Sequence, residues 1–218
     1  MKNLQKIGGI ASLYEALAYI LGIIFYIFIV DYAGVVEPAK KVALLVENVG
    51  SMYILTLFVY VLFGVFMVPL ALALHERLKA KSPALMQVGT AFGLFWALVV
   101  IASGMIFITG MNTIVPLFSQ NPTQAATVWL AIESVFEGIG GGVELLGGLW
   151  ILLVSWAALR AGDFPKAMNY FGAAIGVAGI LTIIPTLKVL QDVFGLTQII
   201  WFIWLGIVML RSRKSAAV

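Results

Sequence analysis

Cysteine is absent from this chain, and histidine occurs only once, as His75. The lack of cysteine excludes disulfides, iron–sulfur clusters and thiol chemistry. The single histidine excludes a haem held by two histidines and any histidine-rich metal centre. We therefore expect a protein that works without a metal ion and without a cofactor.

Charge is scarce as well. Charged residues make up 11% of the sequence and hydrophobic residues 62%, and the mean hydropathy is +1.08. This composition lies far outside the range of soluble globular proteins. The basic residues behind the net charge of +3 are spread over short loops, where they orient helices and touch anionic lipid headgroups. The expected partner is therefore the lipid bilayer, and we expect no nucleic acid.

Six apolar runs are long enough to cross a membrane, for which a helix needs about 20 residues. They predict an all-α protein, a polytopic bundle of six transmembrane helices, with a single domain over residues 1–218. The predicted spans are Ile7–Val30, Met52–Leu74, Met86–Gly110, Gly140–Leu159, Tyr170–Leu187 and Val193–Leu210.

The loop charges orient this bundle. One side carries only two acidic residues, Glu76 and Asp163, against ten basic ones. The opposite side has three lysines against six acidic residues. Because cytoplasmic loops are enriched in lysine and arginine, both termini are predicted to be cytoplasmic. We expect the inner membrane of a bacterium. The ten basic residues are Lys2, Lys6, Arg77, Lys79, Lys81, Arg160, Lys166, Arg211, Arg213 and Lys214.

Three soft motifs accompany the six spans: Lys6-Ile7-Gly8-Gly9-Ile10 before the first span, the basic turn over residues 159–166, and the Gly/Ala-rich stretch from Phe171 to Gly179. Together they resemble a bacterial family of six-span integral membrane proteins, a domain of unknown function. The resemblance covers most of the chain. It implies a topology and no mechanism, so no catalytic residue is carried over.

Glu15 and Glu144 stand inside the apolar spans. A carboxylate at the centre of a membrane helix costs about 3 kcal/mol, so it usually has a partner and often a function. Tyr19 follows Glu15 by four residues and lies within hydrogen-bond reach on the same helix face. A purely structural role stays open, in which the neutral acid bonds Tyr19 or a backbone carbonyl.

The fourth span brings further acids and a run of glycines. Glu133, Glu137 and Glu144 fall within about 40° of one another around a helix, and the first two belong either to an outer vestibule or to a solvated face. Glycines lower helix stability and permit bends. We expect bending or close packing at Gly138, Gly140, Gly141 and Gly142.

These polar residues suggest an outward-opening cavity that narrows toward Glu15. Tyr60 supplies a hydroxyl from the second span and Gln198 an amide from the sixth. Carboxyl groups in such a cavity suit a proton relay, a counter-ion to a cation, or a general acid. The candidate residues for binding a ligand or a proton are Glu15, Glu144, Tyr19, Glu137, Tyr60 and Gln198.

Three function classes remain open. The favoured one is a membrane protein that binds or transports a proton, a cation or a small amphipathic ligand, acting as a homodimer or within a larger membrane complex. The second is an intramembrane enzyme on a lipid or isoprenoid with a glutamate as acid or base. It is disfavoured because the sequence holds no Asp-rich diphosphate motif and no nucleophile–base pair. The third is an accessory or assembly subunit.

Overall fold

The computed structural model describes residues 2–32, 34–141 and 144–211. Every regular element within these ranges is helical, and no strand occurs in them. The predicted all-α class is therefore confirmed. The α-helices of the described ranges are numbered here in chain order: α1 (Lys2–Ile23), α2 (Pro38–Glu47), α3 (Val49–Thr56), α4 (Phe63–Leu78), α5 (Pro83–Gln120), α6 (Pro122–Phe136), α7 (Leu145–Ala161), α8 (Lys166–Leu181) and α9 (Leu190–Arg211).

Three wider, π-helical segments continue some of these helices. Ile24–Ile29 extends α1, Leu57–Leu62 joins α3 to α4, and Glu137–Gly141 follows α6. The joined helices therefore run longer than their α-helical parts. Among the described residues, five segments are long and apolar enough to cross a membrane: Asn3–Ile29, Val49–Leu78, Pro83–Gln120, Pro122–Ala161 and Leu190–Arg211. They identify the chain as a membrane protein.

The fifth predicted span is shorter than expected. Instead of running over Tyr170–Leu187, α8 ends at Leu181 and comprises 16 residues, fewer than the roughly 20 of a typical span. Pro185 explains the break, because a proline disfavours helical backbone in the residue before it. Ile184 is accordingly extended, with φ −88° and ψ 115°, and a short 3₁₀ turn follows.

Local signals in the sequence set the ends of two other helices. The Asn121 side chain accepts a hydrogen bond from the Gln124 backbone N–H at 3.0 Å, and Pro122 opens α6. Both are favourable at a helix N-terminus. At the end of α7, Gly162 adopts a left-handed φ of 61°, the conformation that commonly terminates a helix.

The chain forms two compact units. Unit 1 comprises Met1–Leu17, Val65–Ala97 and Glu144–Val218, and unit 2 comprises Ala18–Gly64 and Leu98–Val143. Each unit has its own buried core. The single domain over residues 1–218 stays a prediction.

Glycines bring the backbones of unit 1 into contact. A Cβ atom added to Gly148 of α7 would lie 2.7 Å from the carbonyl oxygen of Gly176 on α8. A Cβ on Gly93 of α5 would lie 2.6 Å from Nε1 of Trp150 on α7. Such close approach through small residues is typical of membrane helices. The glycines therefore hold α7 tightly between α5 and α8.

Aromatic rings fill the core of each unit. In unit 1, the centroid of the Trp150 ring lies 5.8 Å from that of Trp201. In unit 2, Phe107 lies 5.1 Å from Trp129 and 5.3 Å from Phe136. The edge-on and tilted arrangements are those that aromatic pairs favour.

The short helix α2 carries its apolar residues on one face. It begins with Pro38 and buries Val42 and Leu45, while Glu37 and Lys40 are exposed. Its apolar side packs into the core of unit 2. The helix therefore belongs to the fold and is more than a surface appendage.

The glycine run after α6 interrupts the helix. Gly140 has non-helical dihedral angles, φ 175° and ψ 5°, inside the segment Glu137–Gly141. A Cβ on Gly140 would lie 3.2 Å from Val99, whereas one on Gly138 would meet no atom within 4 Å. Gly141 ends the segment, and Gly142 lies outside the described residues.

Candidate functional site

Glu15 is fully buried in α1. Neither of its carboxylate oxygens has a hydrogen-bond partner among the residues that the structure describes. A buried polar group without a partner costs free energy, and a buried charge without one costs far more. Glu15, one of the two acids that stand out in the apolar spans of the sequence, is thus buried without a described hydrogen-bond partner.

Gln198 of α9 is in the same condition. It is fully buried, and both the oxygen and the nitrogen of its side-chain amide lack partners within the described ranges. An amide can both accept and donate hydrogen bonds. Gln198 therefore leaves one unused acceptor and one unused donor group in the interior of unit 1.

The packing of α1 against α9 brings these two residues to the same depth. The Ser12 hydroxyl donates to the Phe202 carbonyl oxygen at 2.7 Å. One turn earlier on α1, a Cβ on Gly9 would lie 3.2 Å from the Gly206 carbonyl oxygen. The residue number rises along α1 while it falls along α9, so the helices are antiparallel. One turn beyond the Ser12 contact, Glu15 lies level with Gln198.

The helix faces agree with this register. At 100° per residue, Gly8, Ser12 and Glu15 fall within about 60° of one another on α1. Gly8 faces α4 and α9, because a Cβ there would lie 2.5 Å from Ala73 and 2.8 Å from Met209. On α9, Gln198 shares its face with the buried Phe202, Leu205 and Met209. Both polar side chains therefore leave their helices toward the interior of unit 1.

Three more buried polar atoms of unit 1 lack partners in the described part of the chain: Trp150 Nε1, Ser155 Oγ and Trp201 Nε1. The last two lie close together, because both are within 2.5 Å of the position that a Cβ on Gly172 would take. We refer to Glu15, Gln198, Trp150, Ser155 and Trp201 as the Glu15 cluster.

Sequence reasoning missed Trp150 and Ser155. Ser155 follows Gly148 by seven residues and so shares the glycine face of α7 that packs on α8. The signal that could have identified Ser155 from the sequence was a hydroxyl group on a helix face of closely packed glycines. For Trp150 there was no signal, since a tryptophan in an apolar helix is indistinguishable from an ordinary core residue.

Glu144 lies in unit 1 as well, at the N-terminal end of α7, and is half-buried. Its backbone N–H donates to the Thr182 hydroxyl oxygen at 3.1 Å, and that hydroxyl donates to the Gly179 carbonyl at 2.7 Å. The contact ties the start of α7 to the end of α8. A chamber shared by Glu144 and Glu15 stays a prediction.

The other candidates from the sequence belong to unit 2. Tyr19 is half-buried, with its ring edge-on to Phe63 at 5.6 Å. Tyr60 is half-buried and edge-on to Phe136 at 5.2 Å. Glu137 is exposed at the start of the π-helical segment after α6. Of the six candidates, the described contacts bring only Glu15 and Gln198 to one level.

Unit 2 contains a partly buried group of polar residues that are hydrogen-bonded to one another. Lys41 Nζ and the Tyr32 hydroxyl both donate to Glu133 Oε1, at 2.8 and 2.9 Å. Trp129 Nε1 donates to the Tyr32 oxygen at 2.9 Å. The Lys41 ammonium also lies 5.2 Å from the centre of the Tyr32 ring. We call these four residues the Glu133 network.

The burial and charge of this network change the pKa of its tyrosine, Tyr32. Burial, followed by the neighbouring charge of Glu133, raises the pKa of Tyr32 above its ordinary value. The neutral phenol is thereby held as a donor to the carboxylate. The side chains of Lys41 and Glu133 are 20% and 12% exposed, so their ion pair is largely removed from water.

Metal binding finds no support within the described ranges, where no group of three or more His, Cys, Asp or Glu side chains could hold an ion. The oxygens of Glu15 and Gln198 are the main unsatisfied acceptors described. Their chemistry suits a donor of hydrogen bonds.

Comparison with protein families gives one match. The model of a domain of unknown function, DUF4386, matches residues 15–212, so the chain belongs to this family. The resemblance drawn from the sequence is confirmed. No curated protein and no solved structure matches the chain.

Proposed function

We propose that this member of the DUF4386 family is a membrane protein that binds a proton between Glu15 and Gln198. The observation that carries the proposal is the burial of both side chains at one level of unit 1 with unpartnered polar atoms. Ionisable residues inside an apolar helix bundle commonly mark proton relays and ion pathways.

A count of donors and acceptors favours the proton. An ionised Glu15 offers two acceptor oxygens, and Gln198 offers one acceptor and one donor group. The amide nitrogen of Gln198 can donate a hydrogen bond to one carboxylate oxygen of Glu15. The second carboxylate oxygen and the amide oxygen then both need a donor, and a single proton shared between them satisfies both. The proton is thus the smallest species that completes the pair.

A metal ion completes the pair less well. It would coordinate the oxygens of Glu15 and Gln198, yet the amide N–H groups of Gln198 cannot bind a cation. The burial of Glu15 points the same way, because an apolar site favours the uncharged acid. Binding and release of a proton would therefore switch the pair between a satisfied and an unsatisfied state.

A site of this kind fits a proton-coupled secondary transporter. We propose that such a transporter crosses the inner membrane of a bacterium six times, with α8 as the short fifth crossing. The antiparallel packing of α7 on α8 supports this, and the excess of basic residues in the loops on one side supports cytoplasmic termini.

The test is the protonation of one carboxyl group in the purified protein. Infrared difference spectra taken across a pH series should show the carboxyl stretch of a protonated acid in the wild type. The variant Glu15→Gln should lose that band. In proteoliposomes with an imposed pH gradient, the same variant should lose most of the proton flux of the wild type.

Glu47→Gln is the matched control, because Glu47 is an exposed glutamate in α2. It should retain both the infrared band and the flux. A band that survives Glu15→Gln would overturn the proposal. A folded Glu15→Gln variant with wild-type flux would do the same and would leave helix packing as the role of Glu15.

A further inference from the structure

Arg77 forms the most complete ion pair of unit 1. Its Nε donates to Asp163 Oδ2 at 2.9 Å, and its Nη2 donates to Asp163 Oδ1 at 2.8 Å. The Arg77 side chain is only 6% exposed. A two-pronged arginine–carboxylate pair is strong and directional. The contact joins the end of α4 to the turn between α7 and α8.

The same guanidinium contacts two more residues, Gln5 and Phe164. Its Nη1 donates to the Gln5 side-chain oxygen of α1 at 3.3 Å, and the Gln5 amide nitrogen donates to the Ala73 carbonyl at 2.8 Å. The Arg77 guanidinium carbon lies 4.5 Å from the centre of the Phe164 ring, within the range of a cation–π contact. We call Gln5, Arg77, Asp163 and Phe164 the Arg77 latch.

The latch lies at the end of unit 1 from which α1 leads toward Glu15. Gln5 precedes Glu15 by ten residues, about 15 Å along α1. The face between them carries Gly8 and Ser12, which pack against α4 and α9. A proton that reaches Glu15 from this end has to pass the elements that Arg77 ties together.

We propose that the Arg77 latch is the gate for the basic, cytoplasmic end of the Glu15 cluster. The inference rests on the proposed function in one respect, since it supplies the access route for the proton. The gate opens when the fork between Arg77 and Asp163 separates and α4 moves away from the α7–α8 turn.

The turn between α7 and α8 has a strained backbone, and this strain favours its opening. Phe164 holds a left-handed backbone, with φ 59°, which an aromatic side chain adopts unfavourably. Its backbone N–H donates to Asp163 Oδ1 at 2.8 Å, so the carboxylate that binds Arg77 also holds the turn in this shape. Separation of the fork removes the contacts of Arg77 with Asp163 and with the ring of the strained Phe164.

Because the chain contains no cysteine, a single introduced cysteine reports access without a background. Ser12→Cys places a thiol at a fully buried position on the Glu15 face of α1. The probe is a membrane-impermeant maleimide added to membrane vesicles of either orientation. The measurement is the labelling rate of Cys at position 12 from each side of the membrane.

Arg77→Gln in this background should raise the labelling rate about tenfold from the latch side, because the open form becomes more populated. Labelling from the opposite side should not change. The control is Lys79→Gln, which removes the neighbouring exposed ion pair of Lys79 with Glu76. It should label at the parent rate.

A second pair of variants guards against misfolding. Arg77→Asp alone should raise the labelling rate, and the combination of Arg77→Asp with Asp163→Arg should lower it again by restoring an ion pair. A folded Arg77→Gln protein that labels at the parent rate overturns the gate. An equal rise from both sides, which indicates general loosening, overturns it too.

The labelling rate does not depend on a bound proton. If Glu15→Gln keeps the infrared band while Arg77→Gln raises one-sided labelling, the proposed function fails and the gate stands. The reverse result removes the gate and keeps the proton site.

Discussion

The buried Glu15 cluster and the partly buried Glu133 network are both polar groups among apolar helices, and they differ in how many of their polar atoms have hydrogen-bond partners. In the Glu133 network, one carboxylate oxygen accepts from Lys41 and Tyr32, and the tyrosine oxygen accepts from Trp129. In the Glu15 cluster, seven side-chain atoms of the described residues have no partner.

The difference separates structural from functional polarity. A closed network holds its elements in a single arrangement, and this one ties α2 and the residues after α1 to α6. An open cluster makes no hydrogen bonds that would offset the free-energy cost of burying its polar groups. We propose that a bound species completes it. The comparison is the reason that we propose a structural role for the Glu133 network and a functional role for the Glu15 cluster.

The largest effect should come from breaking the closed network. Glu133→Gln leaves the Lys41 ammonium buried without a countercharge, and we expect a loss of about 3 kcal/mol in the free energy of unfolding. Thermal unfolding in detergent micelles measures it. Glu37→Gln is the control, because the Glu37–Lys40 pair is exposed; it should not shift Tm. If Glu133→Gln and Glu37→Gln changed the unfolding temperature equally, the distinction between the Glu133 network and the Glu15 cluster would be removed.

A smaller loss is expected where the open cluster is densely packed. A Cβ on Gly172 would lie 2.3 Å from Ser155 Oγ and 2.5 Å from Trp201 Nε1, so Gly172→Ala forces these side chains apart and should cost about 1–3 kcal/mol. Gly50 in α3 has no atom within 4 Å of its Cβ position, and Gly50→Ala should not destabilise. If Gly172→Ala is also neutral in thermal unfolding, the cluster has spare room around Ser155.

Tyr32→Phe should cost about 1–2 kcal/mol, since it removes a donor to Glu133 and leaves Trp129 Nε1 without an acceptor. The raised pKa of Tyr32 adds a pH dependence. Its stabilising contribution is complete below pH 10, roughly the pKa of an exposed tyrosine, and is lost as pH rises through the higher pKa of the folded state. Unfolding curves at rising alkaline pH should therefore fall more steeply for the wild type than for Tyr32→Phe. Parallel curves would contradict this assignment.

The smallest change in stability is expected at the residue proposed as functional. Glu15→Leu removes unpartnered oxygens from the core of unit 1, so the free energy of unfolding should stay the same or rise by up to about 1 kcal/mol. Thermal unfolding at several pH values measures the effect. A loss of more than about 2 kcal/mol would show that Glu15 is tied into the structure, and the contrast with Glu133 would disappear.

The sequence predicted the fold class and most of the spans because long apolar runs leave little choice of structure in a membrane. It also singled out Glu15, because an acid stands out in an apolar helix, and it included Gln198. The end of α8 was misjudged because hydropathy outweighed Pro185 in the prediction. The Lys41–Glu133 pair was beyond reach, since its partners are 92 residues apart and no local pattern links them.

The length of α5 has a practical consequence. A helix of 38 residues measures about 57 Å, more than the roughly 45 Å thickness of a bilayer with its headgroups. The turn at Asn121 that ends it offers a place to graft a rigid marker protein in continuous helical register. A chain of 23.6 kDa would then carry a feature large enough to align single-particle images.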